Sequence, residues 1–304
     1  MAARKLQRSA TPAPSMIPAE VSPEAKAVAR INNGSGTVLG EIASFARSAL
    51  GLGDPVTRLR ALASFGTTLL RINRGGIVKG HRRVPEKPLE LFEAEFCPFS
   101  RHVREALTEL DLDAMIYPVP KGGKRFRQRL VKLGGKAKIP FLHDPNTRTK
   151  LYDSEAIVAY LYKQYGLEWQ TVPQRNLATS TLASLVRGKS GMFAVPSKAP
   201  KKPLELYSFE SSPYSRLTRE TLCQLQIPYL LHNVGKTPGS HADYLPPEYR
   251  YEYVHDYMPG TENRRKFMQR AGRVMVPYLI DPNTNTAMFE TRDIQAYLRK
   301  TYGA

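Results

Sequence analysis

The chain has 304 residues, a formal net charge of +18 and only two cysteines. This length suits two domains with ordinary hydrophobic cores. Two cysteines are too few for a disulfide-stapled secreted protein, and they favour a reducing compartment. No apolar run reaches the roughly 18 residues that span a bilayer, so the sequence predicts no transmembrane helix.

Residues 1–35 are predicted to be a disordered or targeting segment. They are rich in Ala, Ser and Pro, begin with basic residues and contain no acidic residue before Glu20. This composition is typical of a plastid or mitochondrial transit segment and equally of a disordered tail. Because the cysteine content favours a reducing compartment, we expect a cytoplasmic protein, and the composition of residues 1–35 leaves the plastid as the alternative location.

Residues 36–84 are predicted to form a basic amphipathic helical region. Apolar residues between Val38 and Ile72 recur at helical spacing, with a break at residues 51–55. Two helices fit this pattern, and such helices more often pack on their own domain. The flanking arginines leave peripheral membrane contact as the less favoured alternative.

A cysteine follows the first predicted strand. The alternating apolar run at 89–93 leads into Cys97-Pro98-Phe99-Ser100, which has the features of a helix start because Pro98 suits the first helical position. A thiol at a helix N-terminus lies near free backbone N–H groups and the positive end of the helix dipole, which lower a thiol pKa. Cys97 is therefore a candidate nucleophile. The alternative is a small apolar residue that happens to begin a helix.

The elements that follow predict a compact mixed α/β domain over residues 85–166. We place strands near 89–93, 115–119, 139–142 and 148–152, and helices near 98–111, 124–133 and 154–164. Residues 144–147 have the composition of a tight turn between the last two strands. A strand, crossover helix and strand, followed by a hairpin and a covering helix, is typical of a small mixed sheet domain.

The same pattern recurs downstream. Residues 89–101 match residues 204–216, and the Ile139-Pro140 step matches Val276-Pro277 after an insertion of 22 residues in the second occurrence. The chain is therefore an internal duplication. Copy one covers residues 85–166, copy two covers 203–304, and residues 167–202 are predicted to be a linker with a short helix.

These motifs resemble those of glutathione transferases. The helix start at 97–100, the Ile139-Pro140 step and the Asp153-Ser154 helix start look like the N-terminal, glutathione-binding domain of glutathione transferases and glutaredoxins. The first motif is similar to that of dehydroascorbate reductases and omega-like transferases, in which the cysteine is the nucleophile. The chain as a whole resembles a plant and bacterial family of tandem glutathione transferase N-terminal domains. It departs from that family at Ser100, where members often carry a second cysteine.

The resemblance implies two tandem thioredoxin-like domains, each a mixed four-stranded sheet with flanking helices. It also implies glutathione as a cosubstrate, a cis bond before Pro140, and a carboxylate site at Ser154, for which helix capping is the alternative role. The glutathione-binding residues implied are Pro98, Phe99, Ser100, Ile139, Pro140, Asp153 and Ser154. No metal site is predicted.

The chemistry expected of Cys97 needs no second cysteine. A monothiol attacks a glutathionylated substrate and holds glutathione as a mixed disulfide, which a second glutathione resolves. We therefore expect a thiol transferase or deglutathionylating reductase that acts on a glutathionylated protein or small thiol. The alternative is a non-catalytic thioredoxin-fold protein that binds a partner or a membrane surface.

Copy two carries Ser212 at the thiol position. A hydroxyl cannot perform thiol exchange near neutral pH, so we expect a degenerate site, with a hydrogen bond to the thiolate of bound glutathione as the alternative. The second cysteine, Cys223, lies well inside the copy-two helix beside leucines and is predicted to be core.

Basic residues are concentrated between Lys121 and Lys138, where no acidic residue occurs. They either steer an anion such as glutathione or form a solvated helix face. We expect no nucleic-acid partner, because no recognised binding motif accompanies the charge.

Overall fold

The structure is a computed structural model that describes residues 55–71, 74–174, 176–245 and 247–304. The predictions for residues 1–35 and for the first amphipathic helix lie outside these described residues.

Eight strands form one continuous sheet in the order β4-β3-β1-β2-β6-β5-β7-β8. In each copy the first two strands pair in parallel, and the remaining neighbours pair antiparallel. Two tandem mixed four-stranded sheets, the predicted fold class, are therefore confirmed. The strands are β1 (Leu89–Glu93), β2 (Ala114–Pro118), β3 (Phe141–Asp144), β4 (Thr149–Tyr152), β5 (Leu204–Ser208), β6 (Tyr229–Asn233), β7 (Tyr278–Asp281) and β8 (Thr286–Phe289).

The two copies join through the edges of their sheets. Strand β2 pairs antiparallel with β6, so that Met115 lies opposite Leu230. In a separate copy each of these strands would be an edge with unpaired backbone groups, which invites association with another chain. Their pairing satisfies both edges and relates the copies by an approximate two-fold axis.

Helices flank the sheet close to the predicted positions, although α3 begins three residues later than expected. An apolar core shared by both copies lies under α2, α4, α6 and α9, and smaller clusters pack α3 and α8 onto the opposite face. These helices are α2 (Pro98–Glu109), α3 (Arg127–Gly134) and α4 (Ser154–Tyr165) in copy one, and α6 (Pro213–Gln224), α8 (Glu262–Ala271) and α9 (Thr291–Tyr302) in copy two.

The helix that precedes each copy packs on the other copy. Helix α1 (Pro55–Leu70) precedes copy one but packs on α6, whereas α5 (Leu177–Val186) precedes copy two but packs on α2. The contacts correspond: Ser64 Oγ donates to Pro213 O at 2.7 Å, and Ser180 Oγ donates to Pro98 O at 2.9 Å. Helices α1 and α5 also contact each other. Each of these two helices therefore packs on the copy that it does not precede.

The insertion of copy two lies between β6 and α8. It contains a 3₁₀ helix (His241–Tyr244) and a short helix α7 (Pro247–Tyr253), and it packs beside the start of α6. Across the described ranges, no helix is both long enough and apolar enough to cross a membrane.

Candidate functional site

Cys97 lies at the start of α2. It is the residue before the first helical turn, with φ −69° and ψ 119°, and Pro98 follows at the first helical position. The Cys97 carbonyl accepts the first helical hydrogen bond, from Arg101 N at 3.0 Å. The side chain is half-buried, is not in a disulfide, and makes no capping bond to the described backbone. A partly accessible thiol is therefore present at the helix terminus.

The three motifs of copy one meet at one end of the sheet. Phe92 at the end of β1 lies opposite Phe141 at the start of β3, which lies opposite Tyr152 at the end of β4. The segments just beyond these positions are the Cys97 helix start, the Ile139-Pro140 step and the Asp153-Ser154 helix start. The Ile139-Pro140 bond is cis, as is the matching Val276-Pro277 bond. The fold thus gathers the candidate residues in one region.

Capping of α4 belongs to Asp153 and not to Ser154. The Asp153 carboxylate accepts hydrogen bonds from the backbone of Glu155 at 2.9 Å and of Ala156 at 3.3 Å. Asp153 also adopts φ 74°, a conformation that is costly for a residue with a side chain. Ser154 is the first helical residue. The capping role considered for Ser154 is therefore wrong.

The candidate residues differ in accessibility. Cys97, Pro98 and Ile139 are half-buried, while Phe99 and Asp153 are exposed. By contrast, three members have their side chains buried: Ser100, Pro140 and Ser154. A ligand would reach the Ser100 and Ser154 hydroxyls only after neighbouring side chains move. The accessible part of the site is thus the start of α2, the step before Pro140 and the first turn of α4.

Helix α5 lies across the first turn of α2. The sequence analysis did not predict this contact. Besides the Ser180 contact to Pro98, Arg101 Nη1 donates to Ser180 O at 2.9 Å. Arg101 is itself almost fully buried. The linker helix therefore fixes one side of the thiol-bearing helix.

A buried network of charges lies behind the site. Arg104 in α2 bonds Glu93, and its Nε donates to Glu210 of copy two at 2.8 Å. Arg219, the equivalent of Arg104, bonds Glu95 of copy one at 3.1 Å. Burial raises the pKa of Glu93 to about 7. Burial alone would also raise the pKa of Glu210, yet the guanidiniums of Arg104 and Arg219 hold it well below its ordinary value.

Cys223 is placed in the interior, as predicted. Its thiol donates to Gly191 O at 3.3 Å and accepts from Glu95 N at 3.4 Å. Burial raises the pKa of the Cys223 thiol well above its ordinary value. A thiol that is both shielded and protonated is a poor nucleophile.

In copy two the residue equivalent to Cys97 is engaged in the helix. Ser212 Oγ caps α6 by accepting from Ser215 N at 3.2 Å. Thr291, at the position of Ser154, donates to Tyr214 O at 3.2 Å. Even so, a cavity of about 150 Å³ lies beside Ser212, walled on one side by the insertion. The sequence had favoured a degenerate site at Ser212, with glutathione binding as the alternative, and it had not indicated this cavity.

The basic stretch Lys121–Lys138 divides into structural and exposed residues. Arg125 joins the copies by donating to Leu225 O at 2.9 Å and Gln226 O at 2.6 Å. The lysines of the stretch, in contrast, are exposed: they are Lys121, Lys124, Lys132, Lys136 and Lys138. Among the described residues, no group of His, Cys, Asp and Glu side chains is arranged to hold a metal ion.

Comparison with known families agrees with this geometry. The family model described as glutathione S-transferase, N-terminal domain, matches residues 91–169 and again residues 206–304, together more than half of the chain. The chain belongs to this family. The two matched segments confirm the tandem arrangement of thioredoxin-like units. Membership of this family indicates a glutathione-related function.

Two solved structures show similarity to the chain. The glutathione transferase BmGSTD1 of Bombyx mori is 25% identical with a TM-score of 0.26, and the match covers 31% of this chain and 43% of that one. The trimeric glutathione transferase TDR1 of Leishmania is 12% identical with a TM-score of 0.23, covering 71% of this chain and 67% of that one. A search of curated proteins found no match.

Proposed function

We propose that copy one binds glutathione and uses Cys97 as the nucleophile of a thiol transferase or deglutathionylating reductase. One observation carries the proposal: Cys97 is an accessible thiol at the start of α2, at the same end of the sheet as the cis Ile139-Pro140 step. Family membership supports glutathione as the cosubstrate.

The reaction balances with glutathione alone as reductant. The Cys97 thiolate attacks the glutathione sulfur of a mixed disulfide, and the substrate sulfur leaves as a thiolate and takes up a proton. A second glutathione thiolate then attacks the sulfur of the enzyme-bound glutathione. Oxidised glutathione leaves, and the Cys97 thiolate is restored.

The neighbouring residues supply binding rather than further redox chemistry. The half-buried step at Ile139 offers backbone groups that pair with an extended peptide as an added strand does. At the start of α4 the N–H groups of Glu155 and Ala156 already bond the Asp153 carboxylate, so the groups proposed to bind a carboxylate of the ligand are those of Ser154. Ser100 offers no thiol and Cys223 is buried, so the cycle involves one protein sulfur.

The substrates proposed are glutathionylated proteins or mixed disulfides of small thiols. Such a cycle runs only where reduced glutathione is abundant. We therefore propose the cytoplasm as the location, with the plastid as the alternative.

The proposal is tested by turnover. The purified chain is given reduced glutathione and the mixed disulfide of glutathione with 2-mercaptoethanol, and oxidised glutathione is measured. Wild-type protein and Cys223→Ser are expected to turn over alike, whereas Cys97→Ser is expected to be inactive. Turnover by Cys97→Ser at the wild-type rate, or no turnover by any of the three, would refute the proposed activity.

A further inference from the structure

A cleft of copy two lies between helices α1, α6 and α9. Its wall contains Arg60 from α1, Tyr214 from the first turn of α6, and Arg292 and Arg299 from α9. The cleft has a volume of about 250 Å³ and opens to solvent. It includes none of the residues proposed to bind glutathione in copy one. Its three arginines define what is here named the arginine cleft.

Two of the arginines lie on one face of α9. Arg292 and Arg299 are separated by about two helical turns, and both side chains are exposed. Across the described ranges, neither side chain takes part in an ion pair. The acidic residue next to Arg292, Asp293, does not line the cleft. No described carboxylate therefore neutralises this face of α9.

The third arginine shares its counterion with a fourth. Arg60 Nη2 lies 3.8 Å from Glu220 Oε2. That carboxylate already accepts two hydrogen bonds from Arg187, at 2.8 and 2.7 Å, so its single charge faces two guanidiniums. Partial burial, and then the charge of Arg60, lower the pKa of Arg299. The arginine cleft thus holds more positive charge than the described residues neutralise.

Copy one shows that the fold does not require arginine at these positions. Helices α4 and α9 have the same length, and in their alignment Arg292 corresponds to Glu155 and Arg299 corresponds to Tyr162. Tyr162 is buried, and its hydroxyl donates to Glu109 at 2.6 Å. An acidic residue and a buried phenol are thus replaced by two exposed arginines in copy two. Neighbouring like charges oppose folding, so this arrangement favours binding of an anion that pairs with them.

We propose that the arginine cleft binds the phosphate group of a phosphate monoester. Guanidiniums present paired N–H groups that match phosphate oxygens. A monoester carries about 1.5 to 2 negative charges near neutral pH, so it neutralises more of the cleft than a carboxylate does. The recognised group is the same whether a soluble ester or a lipid headgroup carries it. The site lies in copy two and does not depend on the chemistry of Cys97.

The test of the ligand class uses phenyl phosphate as the soluble probe and benzoate as its monoanionic counterpart, both followed by calorimetry with the full chain. Phenyl phosphate is expected to bind at least about tenfold more tightly than benzoate. Its affinity is expected to fall as the salt concentration rises, because exposed charges are screened. Displacement of phenyl phosphate by an equal concentration of benzoate or reduced glutathione, or an affinity independent of salt, would overturn the proposal.

Two variants of α9 locate the site. Arg292→Gln and Arg299→Gln are each expected to weaken phenyl phosphate binding at least about threefold, and together at least about tenfold. Lys300→Gln removes the same charge from an exposed position of α9 that does not line the cleft, and it is expected to leave affinity unchanged. All of these positions are exposed, so the variants should unfold at the urea concentration of wild type. Wild-type affinity in the double variant, or an equal loss in Lys300→Gln, would overturn the assignment.

Vesicles distinguish the two sources of phosphate. Sedimentation is compared for phosphatidylcholine vesicles that contain phosphatidic acid, a monoester, or phosphatidylglycerol, a diester, at equal surface charge. The second lipid controls for the attraction of a chain of net charge +18 to any anionic surface. A preference for phosphatidic acid that the double variant loses assigns the site to a lipid headgroup. Phenyl phosphate binding without that preference assigns it to a soluble ester. Absence of both would overturn the proposal.

Discussion

Arg104 Nε lies 2.8 Å from Glu210 Oε2, and both side chains are almost fully buried where the two copies meet. The pairing is reciprocal, because Arg219 of copy two reaches Glu95 of copy one. Ion pairs removed from water depend on the presence of every partner, since loss of one leaves a buried charge uncompensated. The copies are therefore joined by charge pairing as well as by the β2–β6 edge.

Replacement of Arg104 tests this junction. Arg104→Met leaves Glu93 and Glu210 without a major partner and is expected to lower the free energy of unfolding by about 3 to 5 kcal/mol. Urea denaturation measures the change. The control is Arg129→Met, which removes an exposed pair with Glu90 and is expected to cost less than about 1 kcal/mol. Similar losses in the two variants would show that the buried network does not hold the copies together.

The two cysteines should differ sharply in alkylation. Iodoacetamide near pH 7 is expected to label Cys97, which is half-buried, and to spare Cys223, whose pKa is raised by burial. Peptide mapping by mass spectrometry of native and urea-unfolded samples gives the comparison, and both cysteines should react after unfolding. Preferential labelling of Cys223 in the native protein would contradict the placement of these thiols.

His232 should make stability depend on pH. Its ring contacts Asp113 of copy one at 2.6 Å and Glu205 at 3.3 Å. Burial alone would lower the pKa of His232, but these two carboxylates raise it to about 9. The stabilisation is fully present below the ordinary pKa of about 6.5 and is lost as pH rises through about 9.

The expected contribution of His232 is on the order of 3 kcal/mol near pH 6, where the two carboxylates are still ionised. Urea denaturation between about pH 6 and pH 9 is expected to show a smaller decline in the free energy of unfolding for His232→Gln than for wild type. His255→Gln, at an exposed position, serves as control and should follow the wild-type curve. An identical decline in His232→Gln would rule out this linkage.

Ser154 and Thr291 provide a matched test of the glutathione site. Ser154→Ala is expected to weaken glutathione binding by about 1.5 to 3 kcal/mol, the worth of a hydrogen bond to a charged group. Because Asp153 provides the cap of α4, this loss is separate from a capping effect. Thr291→Ala removes a contact to Tyr214 within copy two and should leave affinity unchanged. Calorimetry with the opposite pattern would mean that copy two is the glutathione-binding copy.

Local signals in the sequence located the elements well. Proline at positions 98 and 213 marked two helix starts, and alternation of apolar residues marked the strands that precede them. The assignment of the α4 cap failed because Asp153 and Ser154 are adjacent and both residue types cap helices. The structure distinguishes them by the φ of 74° at Asp153 and by the hydrogen bonds that the Asp153 carboxylate accepts from the backbone of Glu155 and Ala156.

Contacts between residues far apart in the chain could not be predicted from local sequence patterns. Arg104 and Arg219 are buried, although arginine side chains are usually exposed, so their burial was not predicted. The sequence does contain one signal for it, because an Arg-Glu pair recurs at 104–105 and 219–220. The packing of α1 and α5 on the copies that they do not precede depends on contacts between distant segments, which spacing along the chain does not encode. The cavity arises from the folding of the insertion against copy two, so its lining could not be assembled from sequence.

In the proposed reaction Cys97 carries glutathione as a mixed disulfide. The most direct measurement is intact-protein mass spectrometry after incubation with oxidised glutathione. We expect a single glutathione adduct that maps to Cys97, is retained by Cys223→Ser, is absent from Cys97→Ser and is removed by reduced glutathione. An adduct that persists in Cys97→Ser, or an intramolecular Cys97–Cys223 disulfide in the wild-type protein, would contradict the role of Cys97 as the nucleophile.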